Sequence, residues 1–178
     1  MLDPVIPLLA ALCGALLFGW AASHKWRAAG EFAATLGEYR VLPQAVVPFA
    51  APSIAFIETA VALALLWPQT RAWAGAAGVV VLLLYACAMA INLARGRRAL
   101  DCGCGLVRRT ISGSLVVRNL LLATGLASTV LPLSARAMTP GDYATVFAAL
   151  AACALIYASA ELLLARPAPR AFAATETP

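Results

Sequence analysis

Five long apolar runs constrain this chain more than anything else in it: residues 5–23, 46–67, 72–94, 115–133 and 143–165. Crossing about 30 Å of hydrocarbon at 1.5 Å rise per residue takes about 20 predominantly apolar residues, and only helices or closed barrels satisfy their own backbone there. The runs do not alternate apolar with polar residues as barrel strands do, so helix is the expectation. Charged residues make up 12% of the chain, against about 25% in soluble globular domains. An ordinary soluble enzyme is excluded, and the predicted fold class is an all-α integral membrane bundle of about five transmembrane helices.

Local signals mark the ends of several runs. The third stops at Arg95-Gly96, a cationic and conformationally permissive pair suited to a helix C-terminus. The fifth is announced by Thr139-Pro140-Gly141-Asp142, with Thr139 as N-cap and Pro140 at the first helical position. The first run is preceded by Asp3 and by no Lys or Arg. A cleaved signal peptide has a basic segment ahead of its apolar core, so the run is expected to stay as a span.

Loop charge sets the expected orientation. Arg71 and Arg136 fall on one side of the membrane, whereas the other side receives ten basic residues, among them Lys25, Arg27, Arg40, Arg95, Arg97, Arg98, Arg108 and Arg109. The positive-inside rule then puts the N-terminus outside and the C-terminus in the cytoplasm of a bacterial inner membrane. Trp20, Trp26, Trp67 and Trp73 lie near span ends, where indoles anchor among headgroups. The net charge of +5 is therefore topological. No basic groove with interleaved aromatics points to nucleic acid, which is not an expected partner.

The spans and short connections make one membrane domain, residues 1–166, followed by a tail, 167–178, whose composition reads as disordered. Two longer connections fall on the basic side. Residues 24–45 place Phe32, Leu36 and Tyr39 at near-helical spacing, as in an amphipathic helix lying against membrane lipid. Residues 95–114 are rich in Gly and Arg and are expected to be irregular.

The sharpest chemical feature is Asp101-Cys102-Gly103-Cys104-Gly105. Residues two apart are separated by at most about 7 Å, so a bend at Gly103 could bring both thiols into disulfide range in a strained, readily reduced ring. Neighbouring arginines favour the thiolate and Asp101 opposes it. Free thiols or two of four metal ligands are the bland alternatives, and with His24 the only histidine a metal site within the chain is disfavoured. Cys13, Cys87 and Cys153 fall inside spans, where packing is the default role.

Glu58 lies too deep in the second run to reach water, and an ionisable group there is a functional-site hypothesis by default. Arg118 and Asn119, in the first turns of the fourth run, are its candidate partners, with snorkelling to the interface the alternative for Arg118. A purely structural helix–helix contact is the competing reading of Glu58. Lys25, Arg27, Glu31 and Tyr39 belong to a charged and aromatic cluster that could be no more than a solvated interfacial helix.

Several of these elements together resemble one family. His24-Lys25-Trp26-Arg27 through Glu31-Phe32, then Tyr39-Arg40-Val41-Leu42-Pro43, resembles the segment that follows the first span in the MauE family of methylamine utilisation membrane proteins. Glu58 falls where that family carries a Glu, the Cys102-Gly103-Cys104 loop resembles its Cys-Gly-Cys loop, and Arg118-Asn119-Leu120-Leu121 resembles its following Arg-Asn segment. Leu106 departs from the pattern, where the family often has Phe. The resemblance implies a DoxX-like helical membrane fold and a role in maturing the disulfide-rich small subunit of methylamine dehydrogenase, with a thioredoxin-like MauD-type partner. It implies Cys102 and Cys104 as the reactive pair, with Glu58, Arg118, Asn119, Lys25, Arg27, Glu31 and Tyr39 supporting the site or holding a cofactor such as a quinone. A non-enzymatic assembly or anchoring factor is the alternative. A transporter would show helix breaks at matching positions of two repeats, and none are evident.

Overall fold

The computed structural model describes residues 3–97, 100, 111–132, 134 and 136–163; Cys102, Cys104, Arg98, Arg108, Arg109 and the tail from 167 lie outside the described residues. All regular structure among the described residues is helix, without strands: α1 (Val5–Arg27), α2 (Ala29–Glu38), α3 (Val47–Leu66), α4 (Arg71–Ala94), α5 (Gly113–Ala127), a 3-10 turn at Ser128–Val130, and α6 (Pro140–Leu163). Five of these are long and apolar enough to cross a membrane: α1, α3, α4, α5 with its 3-10 extension, and α6. The chain is thus a multi-pass membrane helical bundle.

Helix boundaries follow local chemistry. The fourth span begins at Gly113 and ends at Val130, short of the 133 expected from hydropathy. Leu131 is extended, with ψ at 150°, because Pro132 disfavours the helical region for the residue before it. At α6, Asp142 Oδ2 accepts the Thr139 N–H at 2.7 Å and its hydroxyl at 2.8 Å, and the Asp142 N–H reaches back to Thr139 Oγ1 at 3.4 Å. This reciprocal cap starts the helix at Pro140, as the sequence suggested.

Within lipid, helices associate through close packing and polar contacts, since burial of apolar surface gains little there. The α4–α5 contact shows this directly: a Cβ at Gly75 would overlap the Thr129 hydroxyl, and one at Gly78 would come within 2.6 Å of Leu126 Cδ2 and 2.9 Å of Phe18 Cε2. Only glycine admits that approach. One apolar core, including Ala11, Phe18, Val61, Leu65, Leu82 and Leu126, fills the bundle toward the N-terminal end of α1. A second, built by Tyr39, Met89, Leu100, Ile111 and Leu115, fills the opposite end, which carries most of the positive charge.

The two ends differ because α3 and α4 continue past the end of α1. The chain turns at Ala28 (φ −121°, ψ 44°) directly into α2, which packs on the overhanging part of α3. Two residues past the end of α2, Arg40 has a positive φ of 46°, which costs about 1–2 kcal/mol for a residue with a Cβ. Its carbonyl accepts a bond from Arg95 Nη1 at 3.3 Å, tying this corner to the end of α4. α6 stands apart, packing on α1 through Val146 and placing Cys153 against Cys13. It leaves Phe147, Leu155 and Ile156 open to lipid.

Candidate functional site

A polar layer separates the two apolar cores. Glu58, at the middle of α3, is fully buried, and its two carboxylate oxygens each lie 2.8 Å from Lys25 Nζ. The Tyr85 hydroxyl, from α4, donates to Glu58 Oε1 at 2.6 Å. The Lys25 and Glu58 side chains are 1% and 0% exposed. Lone charges in such a place cost several kcal/mol each; a close ion pair with further hydrogen bonds is the arrangement that survives.

Lys25 owes its burial to the fold-back of α2. It sits in the last turn of α1, where the helix dipole favours a cation, and would have snorkelled to water had the chain simply left the membrane. Instead Phe32 of α2 lies over it, 5.0 Å from ammonium to ring centroid, and Tyr85 flanks it at 5.4 Å. Both distances are within cation–π range. The next residue, Trp26, secures the same level from outside, its indole N–H donating to Thr59 Oγ1 at 3.1 Å.

The remaining sequence candidates divide. Tyr39 is buried in the core below this layer. Arg27 is exposed and folds back onto its own helix, with Nε on the Ser23 carbonyl at 3.1 Å and Nη2 on the Ser23 hydroxyl at 3.0 Å. Glu31 is exposed on α2. Arg118 turns to α6, 3.5 Å from the Tyr157 hydroxyl and 6.0 Å from its ring. Glu58 is thus engaged by Lys25 and Tyr85 rather than by Arg118 or Asn119.

Asn119 lies on the packed face of α5 with Leu115, Ala123 and Leu126, and its Nδ2 has no hydrogen-bond partner among the described residues. Met89 and Leu115 share the lower core and Gly78 meets Leu126 above it, so Tyr85 and Asn119, one turn from Met89 and Leu115, occupy the same layer. A buried amide N–H in that position calls for an oxygen. Tyr85 was missed in the sequence, although a tyrosine inside an apolar span must find a partner for its hydroxyl.

Beside the layer lies a cleft of about 50 Å³ between α2 and α4, lined by Phe32, Thr35, Leu36, Tyr39, Tyr85, Ala88 and Met89. The near-helical spacing of Phe32, Leu36 and Tyr39 thus builds one wall. Most of the lining is half-buried, so the cleft opens outward from the bundle.

The profile described as "Methylamine utilisation protein MauE" matches residues 3–135, a stretch that contains the whole polar layer. The chain belongs to the MauE family. Curated relatives, each described as methylamine utilization protein MauE, match over nearly their full length. The one from Paracoccus denitrificans is 39% identical over 173 residues, covering 92% of this chain and 89% of the relative. That from Methylophilus methylotrophus is 33% identical over 174 residues (94% and 90%), and that from Methylorubrum extorquens 34% over 166 residues (90% and 88%). No solved structure matches the chain significantly. In this MauE-family chain the lysine in the last turn of the first span and the glutamate of the second form one ion pair.

Proposed function

We propose that this MauE-family protein serves methylamine utilisation as a membrane thiol–disulfide relay that matures the small subunit of methylamine dehydrogenase. It works in the bacterial inner membrane with the N-terminus outside and the C-terminus in the cytoplasm, and its direct partner is a thioredoxin-like, MauD-type protein. The disulfide form of Cys102–Cys104 is attacked by a thiolate of the reduced partner. A mixed disulfide forms; the partner's second thiolate displaces it, leaving the partner oxidised and Cys102 and Cys104 as a dithiol. Two electrons pass to the pair, and each of its sulfurs takes a proton from the thiols the partner gives up.

The supporting observation is the anchoring of the loop's root. The Ile111 N–H donates to the Leu100 carbonyl at 2.9 Å, and both side chains are buried with Tyr39, Met89 and Leu115. Cys102 follows Leu100 by two residues, so the covalent chain cannot carry it further than about 7 Å from that anchor. A pair whose loop is rooted in the packed end of the bundle suits exchange with a docked partner better than incidental thiols on a free loop.

The test is the double substitution Cys102→Ser, Cys104→Ser. The relay predicts loss of mature, disulfide-complete small subunit with the membrane protein still present at normal level. Full maturation in that background would sink the relay and leave an anchoring role. Labelling Cys102 and Cys104 in intact cells with a membrane-impermeant thiol reagent checks the orientation: protection until lysis is expected.

A further inference from the structure

We infer that the cleft between α2 and α4 is the site of one anionic phospholipid, with an acyl chain lying along the cleft and the phosphate held by Arg40 and Arg95 at its end.

The cleft has a direction. Phe32 and Tyr85, whose rings lie 5.0 and 5.4 Å from the buried Lys25 ammonium, mark its deep end at the polar layer. Tyr39 and Met89, packed together with Leu100 and Ile111, mark the end nearer the charged surface. Beyond Tyr39 the next residue is Arg40. Beyond Met89 the helix runs on to its C-cap at Arg95, a rise of about 9 Å at 1.5 Å per residue. Arg95 Nη1 donates to the Arg40 carbonyl at 3.3 Å, so the two walls are joined at this end by two arginines, both exposed. The result is an apolar furrow that starts among lipid chains and ends in paired cations where the span stops.

Each part selects half of the occupant. The Tyr85 hydroxyl is spent on Glu58 at 2.6 Å, and what the walls offer along most of their length is hydrocarbon. Close packing is what such a surface gains in lipid. At about 50 Å³ the cleft is too small to enclose a whole ligand. It suits a stretch of flexible chain that continues along the outside of the bundle. The arginines ask for an anion, and a phosphodiester takes charge-assisted hydrogen bonds from guanidinium groups. Basic pockets between membrane helices hold anionic headgroups in this way. Arg97, tied to Asn92 Oδ1 at 3.2 Å, adds a third cation two residues past Arg95. Glu38, exposed at the end of α2, is the opposing carboxylate nearest in sequence to Arg40, and the three arginines outweigh it. The bound chain lies against the same Phe32 ring that closes over Lys25. Occupancy therefore holds α2 down on the polar layer, and by mass action anionic lipid stabilises the folded chain. None of this depends on the thiol chemistry of Cys102 and Cys104.

The test uses the full chain, stripped of lipid in detergent and offered equal amounts of phosphatidylglycerol and phosphatidylcholine with the same acyl chains. Native mass spectrometry should show one phosphatidylglycerol retained about tenfold over phosphatidylcholine, with a rise in thermal midpoint for phosphatidylglycerol alone. A phosphatidylglycerol carrying a photoreactive acyl chain should label the peptides of Phe32 to Tyr39 and Tyr85 to Met89. Arg40→Gln with Arg95→Gln should bring retention down about tenfold, to the phosphatidylcholine level. Arg40→Gln alone, which leaves the Arg95 bond to the main chain in place, should lower it about threefold. Arg136→Gln, the same charge change at the opposite end, should leave it unchanged. Filling the furrow, by Ala88→Trp from α4 or independently by Thr35→Trp from α2, should abolish the preference in whichever variant keeps its helical circular dichroism and monodispersity. Equal retention of the two lipids, or labelling spread over all the spans, would mean surrounding lipid only and overturn the site. So would a folded, furrow-filled variant that binds as the parent does, or displacement of the lipid by millimolar inorganic phosphate, since either would reduce the site to a surface charge for free anions.

Discussion

The protein holds two clusters that each pair a basic side chain with carboxylate, in opposite surroundings. At the inner layer, Lys25 meets Glu58 and Tyr85 with side chains that are 1% and 0% exposed across the ion pair. At the other end of the bundle, Arg136 bridges Asp3, just before α1, and Asp142, in the first turn of α6, at 3.0 and 2.8 Å, with Arg136 39% exposed. The outer clasp has the richer hydrogen bonding, four bonds from one guanidinium to two carboxylates. The inner one nevertheless matters more. Water would replace every contact of the clasp, whereas nothing replaces Glu58 as the counter-ion of Lys25 once it is lost. Environment, not bond count, decides the consequence of breaking an ion pair.

The comparison breaks most visibly at Glu58. Glu58→Leu leaves an ammonium buried without its counter-ion, and the expected destabilisation is about 3–5 kcal/mol. It should appear as a large fall in thermal midpoint in detergent or loss of monodisperse protein. Removing both charges, Lys25→Met with Glu58→Leu, should restore most of that stability, because a well-packed apolar pair is often as stable as a buried ionic one. A single variant as stable as the parent would show that Lys25 reaches water and that the inner layer is not dry. The next effect is smaller. Tyr85→Phe removes one hydrogen bond to a charged acceptor, worth about 1.5–3 kcal/mol. The lower end is expected, since Lys25 still holds both Glu58 oxygens. A loss as large as that of Glu58→Leu would mean that Tyr85, not Lys25, chiefly stabilises the carboxylate.

These inner contacts were the least legible part of the sequence. The five spans could be read because hydropathy sums over about 20 residues and lipid permits no other backbone solution. The cap at Thr139 was legible because it depends on residues three apart. Burial of Lys25 depends on something no local pattern records. The chain turns at Ala28 and returns over its own helix end, so a residue that reads as interfacial becomes interior. Glu58 was recognisable as anomalous, but its partner was sought among other residues inside spans, Arg118 and Asn119. A lysine at the mouth of the first span, 33 positions away in sequence, carries no such signal. Leu131 shows the converse: hydropathy ran on to 133, and a single proline ended the helix first.

The outer clasp gives the smallest expected effect and sharpens the contrast. Its carboxylates raise the proton affinity of Arg136 above that of an ordinary guanidinium, chiefly through the hydrogen bonds they accept from it at Asp142 and Asp3. With the folded value above the unfolded one, the contribution of Arg136 is complete below the unfolded value and is lost only as pH rises through the folded value, far above any working pH. The cation therefore never switches, and stability should be flat with pH across about pH 7–9 as far as this cluster is concerned. Arg136→Ala should change the thermal midpoint little. Any change should vanish at about 1 M salt, where the Debye length falls to about 3 Å. What the clasp does hold is the start of α6 against the start of α1, so the more sensitive readout is local: amide exchange at Tyr143 to Val146 should quicken in Arg136→Ala while exchange around Glu58 stays unchanged. Equal acceleration at both sites would show that the two clusters are energetically coupled, and that the division into a dry layer and a wet clasp does not hold.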